Sequence, residues 1–141
     1  MIQRDHRSGF SLIEVLLVVT LLGIVSAIAI PSYLGQRRRS RVIGDAMSNA
    51  RVLSMALESR KADAGIYGTD GTYDWKADGS ATTGPALIPT FQPINGSSKM
   101  NYQVVITNGV TYVLTVYDPS ISATTVAYQT NQYGAELQRL K

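Results

Sequence analysis

The chain has 141 residues, enough for one domain with a terminal appendage. Charged residues make up only 16% of it, below the roughly 25% of an average soluble domain. It contains no cysteine, which excludes a disulfide, a thiolate metal site and a cysteine nucleophile. The net charge of +3 is moderate, so its distribution along the chain carries more information than its size.

The positive charge is concentrated between residues 37 and 60, where six arginines stand against two carboxylates. Residues 61–141 carry five basic and six acidic side chains and are close to neutral. A nucleic-acid-binding domain would spread basic residues with aromatics over one face. We therefore expect no nucleic-acid partner.

Residues 1–9 are polar and include Arg4 and Arg7, and the segment from Val15 to Gln36 has no charge. Such a run exceeds the roughly 20 residues that span a bilayer core. Positive residues before an apolar run hold that end in the cytoplasm. The sequence predicts a single-pass segment, surrounded by inner-membrane lipid, with its N-terminus in the cytoplasm.

One helix is predicted from about Phe10 to about Lys61, apolar all round in its first half and amphipathic in its second. Gly65 and Gly68 give the stop signal. The apolar positions of the second half recur at steps of three and four, and are Ile43, Met47, Ala50, Leu53 and Leu57. This stripe is expected to pack against the rest of the domain.

Residues 64–98 predict a long surface loop with one short strand near Leu87–Phe91. Residues 101–117 alternate in polarity around Asn108-Gly109, which predicts a hairpin with a type I′ turn. A further strand is predicted from Thr125 to Thr130. The fold class is α+β: a long N-terminal helix, half of it transmembrane, packed on a three- or four-stranded antiparallel sheet.

The segment Gly9-Phe10-Ser11-Leu12-Ile13-Glu14 resembles the cleavage motif of type IV pilins and pseudopilins. In that family a Gly precedes the cut, an aromatic or Met becomes the new N-terminus, and a Glu lies fifth after the cut. Gly23, Pro31 and Tyr33 are also frequent in pilins at these offsets. The close resemblance covers roughly residues 9–41.

The resemblance implies a division into a leader, residues 1–9, a transmembrane and filament-core helix, residues 10–36, and a globular head, residues 37–141. A prepilin peptidase would cut between Gly9 and Phe10 and methylate the Phe10 amine. The product would be a structural subunit of an extracellular filament of identical copies, with no enzymatic activity and no cofactor. An assembly ATPase, a platform protein and a secretin would be its partners. The alternative within the family is a pseudopilin of a type II secretion system.

Glu14 is expensive in a membrane helix, since a central carboxylate costs about 2.5–3.5 kcal/mol there. It is expected to pair with the Phe10 amine of a neighbouring subunit and so to fix axial register. The plainer interpretation leaves Glu14 solvated among lipid headgroups. Gly23 and Pro31 are either tolerated kinks or, as the resemblance implies, points where the helix loosens as subunits pack.

Ala27-Ile28-Ala29 imitates a conventional signal-peptide cut, but Glu14 interrupts the start of the apolar core. His6 would be lost on cleavage. Asp70, Asp74 and Asp78 are spaced by four rather than two, so no metal is expected there. The arginines at 37–41 suit a solvated face, a headgroup anchor or pairing with acidic residues of neighbours. Aromatic electron transfer is disfavoured by the gap between Tyr33 and Tyr67.

Overall fold

A computed structural model describes residues 9–80, 82–91, 100–122 and 124–141. Residues 1–8, which make up most of the expected leader with Arg4, His6 and Arg7, lie outside the described residues. The chain divides into two compact units, Met1–Arg38 and Arg39–Lys141. Helix α1, Leu12–Ala64, contributes to both units, as the sequence predicts.

The described part of the first unit, residues 9–38, is a mostly helical and mostly apolar segment whose side chains are all exposed. α1 continues through Pro31 without a break. By length and composition this helix is apolar enough to cross a membrane. Apolar surface of this extent needs lipid or protein around it.

The second unit buries one stripe of α1, formed by Val42, Ala46, Asn49, Ala50, Leu53 and Leu57. The predicted stripe is confirmed at Ala50, Leu53 and Leu57, whereas Ile43 and Met47 are only half-buried. Their neighbours Val42 and Ala46 take the central positions instead. Met47 packs at the edge of the core, and the small side chain of Ala46 suits close packing at its centre.

The sheet has five strands in the order β1-β2-β3-β4-β5, with every neighbouring pair antiparallel. The strands are β1 (Gly71–Trp75), β2 (Asn101–Thr107), β3 (Thr111–Tyr117), β4 (Val126–Asn131) and β5 (Glu136–Arg139). The α+β class is confirmed, and the strand count exceeds the predicted three or four. β1 lies within the predicted loop, and β5 is a short strand with no buried residue.

The strand predicted near Leu87–Phe91 is wrong. A short helix, α2 (Gly84–Leu87), ends there, and a turn follows in which the Phe91 N–H donates to the Ile88 carbonyl at 3.3 Å. The apolar run signals burial rather than extension, because Leu87, Ile88 and Phe91 all enter the core. Burial without periodicity does not distinguish a strand from a turn.

The β2–β3 hairpin closes with three residues rather than the predicted two. Asn108 and Gly109 have φ angles of 55° and 68°, in the left-handed region expected for this pair. The strands nevertheless pair Thr107 with Thr111 and Ile106 with Tyr112, leaving Val110 in the loop. This register places Ile106 and Tyr112 on the same buried face, whereas a slip of one residue would turn one of them outward.

Trp75, Phe91 and Tyr102 form the aromatic centre of the core. Phe91 contacts Trp75 and Tyr102 edge to face, with ring centroids 5.6 and 5.2 Å apart. The Asn49 amide of α1 donates to the Tyr102 hydroxyl at 2.7 Å, and burial raises the pKa of Tyr102 to about 12. Gly84 of α2 lies so close to Trp75 that a Cβ there would meet the indole ring at 2.1 Å.

The free edge of β1 is occupied by one side chain. The Thr83 hydroxyl accepts a hydrogen bond from the Asp74 N–H at 3.0 Å and donates to the Thr72 carbonyl at 3.2 Å. Thr83 therefore satisfies two backbone groups that would otherwise face outward from the sheet.

Candidate processing and assembly segment

The expected cleavage motif spans the last residues before α1 and the first turn of that helix. Gly9, Phe10 and Ser11 precede the first helical residue, Leu12. The Ser11 carbonyl accepts the Glu14 and Val15 N–H groups at 3.0 and 3.2 Å, and so opens the helix. The Phe10 side chain is 83% exposed. The Gly9–Phe10 bond thus lies outside regular structure, in a geometry that a processing enzyme can reach.

Glu14 lies in the first turn of α1. A carboxylate there interacts favourably with the positive end of the helix dipole. The pattern Ser11-Leu12-Ile13-Glu14 also matches a capping box, with Ser at the N-cap and Glu three residues on. This signal in the sequence is sufficient to place the beginning of α1. Glu14 therefore has a helix-starting role available in addition to the expected pairing with Phe10.

The segment after Glu14 is suited to a medium without water. Its Thr20 hydroxyl hydrogen-bonds to the carbonyls of Leu16 and Leu17 at 3.0 and 2.8 Å. A hydroxyl satisfied within its own helix avoids the cost of burial without a partner. Glu14 is the only charged residue from position 10 to position 36, so it is the one group in this segment for which an apolar surrounding remains costly.

Gly23 and Pro31 lie within α1, and neither breaks it. A Cβ at Gly23 would meet no atom within 4 Å, so contacts within one chain do not require glycine at this position. Pro31 has no N–H to donate to the preceding turn, which weakens the helix locally. The expectation that the helix loosens between Gly23 and Pro31 when subunits pack therefore stays a prediction.

The three aspartates of the loop region have separate structural tasks. Asp70 accepts the Gly109 N–H at 2.8 Å, and Asp74 accepts the Gln103 amide at 3.0 Å. The Ser80 N–H and hydroxyl both donate to Asp78 and hold the pKa of that carboxyl below its usual range. Among the residues that the structure describes, no three His, Cys, Asp or Glu side chains are grouped to hold a metal ion.

Comparison with known proteins places this segment in a defined class. A family model described as the prokaryotic N-terminal methylation motif matches residues 4–30. The chain is 34% identical over 65 residues to the type II secretion system core protein G of Pseudomonas aeruginosa, an alignment of 46% of this chain and 45% of the relative. It is 38% identical over 72 residues to the type IV major fimbrial protein FimA of Dichelobacter nodosus, covering 51% and 45%.

A second core protein G, from Aeromonas hydrophila, is 33% identical over 67 residues, covering 48% of this chain and 46% of the relative. The matched part thus spans somewhat less than half of each relative's length. No solved structure matches the chain significantly.

The methylation motif, the apolar helix that bears it and the antiparallel sheet support a type IV pilin-like protein, in the class that comprises pilins and pseudopilins. Its relatives include both a fimbrial protein and secretion core proteins, and none of the three is named for an enzymatic activity. An apolar N-terminal helix with this motif fits a precursor anchored in a membrane and then a subunit of a filament.

Proposed function

We propose that this chain is a structural subunit of a type IV pilus, which polymerises through its N-terminal helix into an extracellular filament used for attachment or motility. The observation that carries the proposal is the exposed apolar part of α1, residues 12–36, whose one charged side chain, Glu14, lies close behind the Gly9–Phe10 bond. Lipid covers this surface in the precursor, and the helices of other copies cover it in the filament.

Processing comes first in this proposal. A prepilin peptidase removes residues 1–9 by cutting between Gly9 and Phe10, and the exposed Phe10 becomes the methylated N-terminus. Residues 10–36 then form the filament core, and residues 37–141 form the head. Gly9 and Phe10 are exposed and precede the first helical residue, which supports this order, because a protease needs a stretch outside regular structure at the bond it cuts.

Assembly follows from the electrostatics of Glu14. An unpaired carboxylate and an unpaired amine are both costly in an apolar bundle, and pairing them removes both costs at one axial position. Glu14 of one subunit and the Phe10 amine of its neighbour would then select a single register. The filament is built from identical copies by an assembly ATPase and a platform protein, and a secretin gives it passage to the cell surface.

A second candidate function is a pseudopilin of a type II secretion system. It is favoured by the names of two relatives, both of them core protein G. The N-terminal chemistry is the same in both proposals, and they differ in the machinery that the filament serves.

The test compares cells with and without the gene for this chain. Electron microscopy of the cell surface should show filaments only when the chain is present, and mass spectrometry of sheared filaments should give a chain that begins at a methylated Phe10. Gly9→Val should leave the precursor uncut. Unchanged filaments in the deletion strain, together with lost export of hydrolases, would favour the pseudopilin. A mature chain that begins at Met1 or Ile30 would refute both.

A further inference from the structure

The outer face of the sheet, which points away from α1, carries a row of polar side chains across all five strands. Cross-strand pairing aligns Asp74, Gln103, Thr115, Gln129 and Gln138 in that order. The Gln103 amide donates to the Asp74 carboxylate at 3.0 Å, and the Gln129 amide donates to the Thr115 hydroxyl at 2.9 Å. These side chains hold one another in fixed positions rather than extending singly into solvent.

A shallow pocket lies at the β1–β2–β3 end of this face, and we call it the outer-face pocket. Its polar side chains offer one carboxylate, one ammonium group, two amides, one phenol and one hydroxyl, from Asp74, Lys76, Asn101, Gln103, Tyr117 and Thr124. The nearby aromatic rings of Trp75 and Tyr102 belong to the core on the opposite side of the sheet. The pocket is therefore rich in directional hydrogen-bonding groups on a rigid base.

The orientation of these groups is set within the protein. The Tyr117 hydroxyl donates to the side-chain amide oxygen of Gln103 at 3.3 Å, and the amide nitrogen of Gln103 in turn donates to Asp74. Tyr117 pairs with Asn101 in the register, so this bond reaches to a position two residues further along β2. The Asn101 side-chain oxygen accepts the Ala77 N–H at 3.1 Å, which leaves the amide NH₂ group as the donor toward the pocket.

The chemistry of the pocket identifies a class of ligand. Asp74 and Lys76 cancel in charge, so the pocket does not select an anion or a cation. The half-buried ring of Tyr117 can pack against the apolar C–H face of a ligand. The fixed amide and carboxylate groups beside it can hydrogen-bond to hydroxyl groups of the same ligand. We propose that the outer-face pocket binds a neutral saccharide, which rests on the Tyr117 ring and exchanges hydrogen bonds with Asp74 and Asn101. Because its polar groups are held before binding, little ordering is needed when the ligand arrives.

The pocket stands independently of filament assembly, so it is tested on the unassembled full chain. The protein is purified in dodecylphosphocholine micelles, because alkyl-glycoside detergents would present sugar to the same pocket. Saturation-transfer NMR is recorded with cellotetraose and with tetra-N-acetylchitotetraose, which are neutral and β-linked. We expect transfer to the ring protons of at least one of the two, and a titration then gives its Kd.

Three variants locate the binding. Tyr117→Ala should raise the Kd at least about tenfold, a loss typical of an aromatic platform, and Asp74→Asn should raise it severalfold while keeping the shape of the side chain. Thr107→Ala, on the same face at the hairpin end of β2, should leave it unchanged. Circular dichroism checks that each variant is folded. If Tyr117→Ala does not fold, the Kd of Asp74→Asn decides the proposal.

Three results would overturn the proposal. The first is no transfer to either saccharide, and the second is an equal loss in Thr107→Ala. The third is a pair of observations: the parent chain binds no saccharide, and folded Tyr117→Ala no longer assembles into filaments. That pair would make the outer face a contact between subunits. Filament yield is measured separately, so failure of saccharide binding is distinguished from failure of the filament proposal.

Discussion

The Tyr67 hydroxyl donates a hydrogen bond to the Glu58 carboxylate at 2.7 Å, and so joins the chain beyond α1 back to the helix it has just left. The Tyr67 ring packs edge to face on Tyr112, with centroids 4.8 Å apart, and the Lys61 ammonium lies 4.6 Å from its centre. The Tyr67 N–H also donates to the Gly109 carbonyl at the hairpin tip. One side chain therefore connects α1 with the β2–β3 hairpin.

This arrangement predicts loss of stability at high pH. Burial, with the hydrogen bond and charge of Glu58, raises the pKa of Tyr67 above its usual range. Burial also raises the pKa of Tyr102 to about 12 and that of Tyr112 above its usual value. The unfolded chain loses these protons near pH 10, before the folded chain does, so stability falls as pH rises from about 10 toward 12.

The measurement is chemical denaturation of the head from pH 8 to 11.5. Tyr67→Phe should cost about 1–2 kcal/mol at pH 8, and it should reduce the slope of stability against pH above 10. A variant with an unchanged slope would show that Tyr67 does not contribute to the alkaline transition.

We predict that a fragment beginning at Arg37 is soluble and unfolds cooperatively. It retains the buried stripe of α1 and the whole sheet, and it lacks the apolar segment. Leu53, fully buried in this stripe, provides the sharpest substitution. Leu53→Asp should unfold the fragment, since an unpaired buried carboxylate costs several kcal/mol against a total of about 5–15 kcal/mol. Met55→Asp, at an exposed position two residues along the same helix, is the matched control. A cooperative melt that Leu53→Asp leaves unchanged would exclude the stripe from the core.

Gly84→Ala should destabilise the head, because the new methyl group would overlap the buried Trp75 ring. Relief requires α2 or the indole to move, and overpacking of this kind costs about 1–3 kcal/mol. Gly44→Ala is the contrasting control, since a Cβ there meets nothing within 4 Å and the position is helical. It should raise stability by about 0.5–1 kcal/mol. Thermal melts with tryptophan fluorescence report both changes, and equal effects of the two substitutions would contradict the packing described for Trp75.

Two substitutions at Glu14 separate its helix-starting role from its expected role in register. Glu14→Gln removes the charge but keeps a side chain that serves in a capping box, whereas Glu14→Val removes both. If pairing with the Phe10 amine sets register, both variants should insert in the membrane and be cut normally, yet yield few or no surface filaments. If helix starting matters more, Glu14→Gln should assemble and Glu14→Val should not.

The readout for Glu14 is the mass of sheared filaments relative to protein left in the membrane, with the mature N-terminus checked by mass spectrometry. Normal filament yield from Glu14→Val would return Glu14 to the headgroup-solvated interpretation.

Periodic patterns of apolar and polar residues in the sequence predicted the helix and the central hairpin of the fold. The uncharged run, the three-and-four spacing from Ala50 to Leu57 and the alternation around Asn108 each report on local geometry, and α1, β2 and β3 follow from them. β1 could not be predicted in this way, because Gly71–Trp75 is short and only Trp75 in it is fully buried. Its pairing with β2 is made across the intervening chain of residues 76–100.

The three-residue hairpin shows a different limit. Asn108-Gly109 predicts where the chain reverses, but the loop length depends on which face of β3 is buried. In the candidate site, the motif at Gly9, Phe10 and Glu14 was visible in the sequence because its residues are close together. The outer-face pocket was not, because Asp74, Asn101 and Tyr117 come together only once three strands have paired.

The hydrogen bonds of the Thr83 hydroxyl affect how copies of this protein can contact one another at high local concentration. A strand at the margin of a sheet offers its backbone to any passing extended chain, and such encounters lead to irreversible aggregation. In a filament, many copies of the head would lie side by side at a local concentration far above that of free protein. Because Thr83 already occupies the Asp74 N–H and the Thr72 carbonyl, β1 cannot use those groups to recruit a strand from an adjacent copy. At this edge of the sheet, contact between neighbouring heads would then rest on side chains rather than on strand pairing, and each head would keep its own fold.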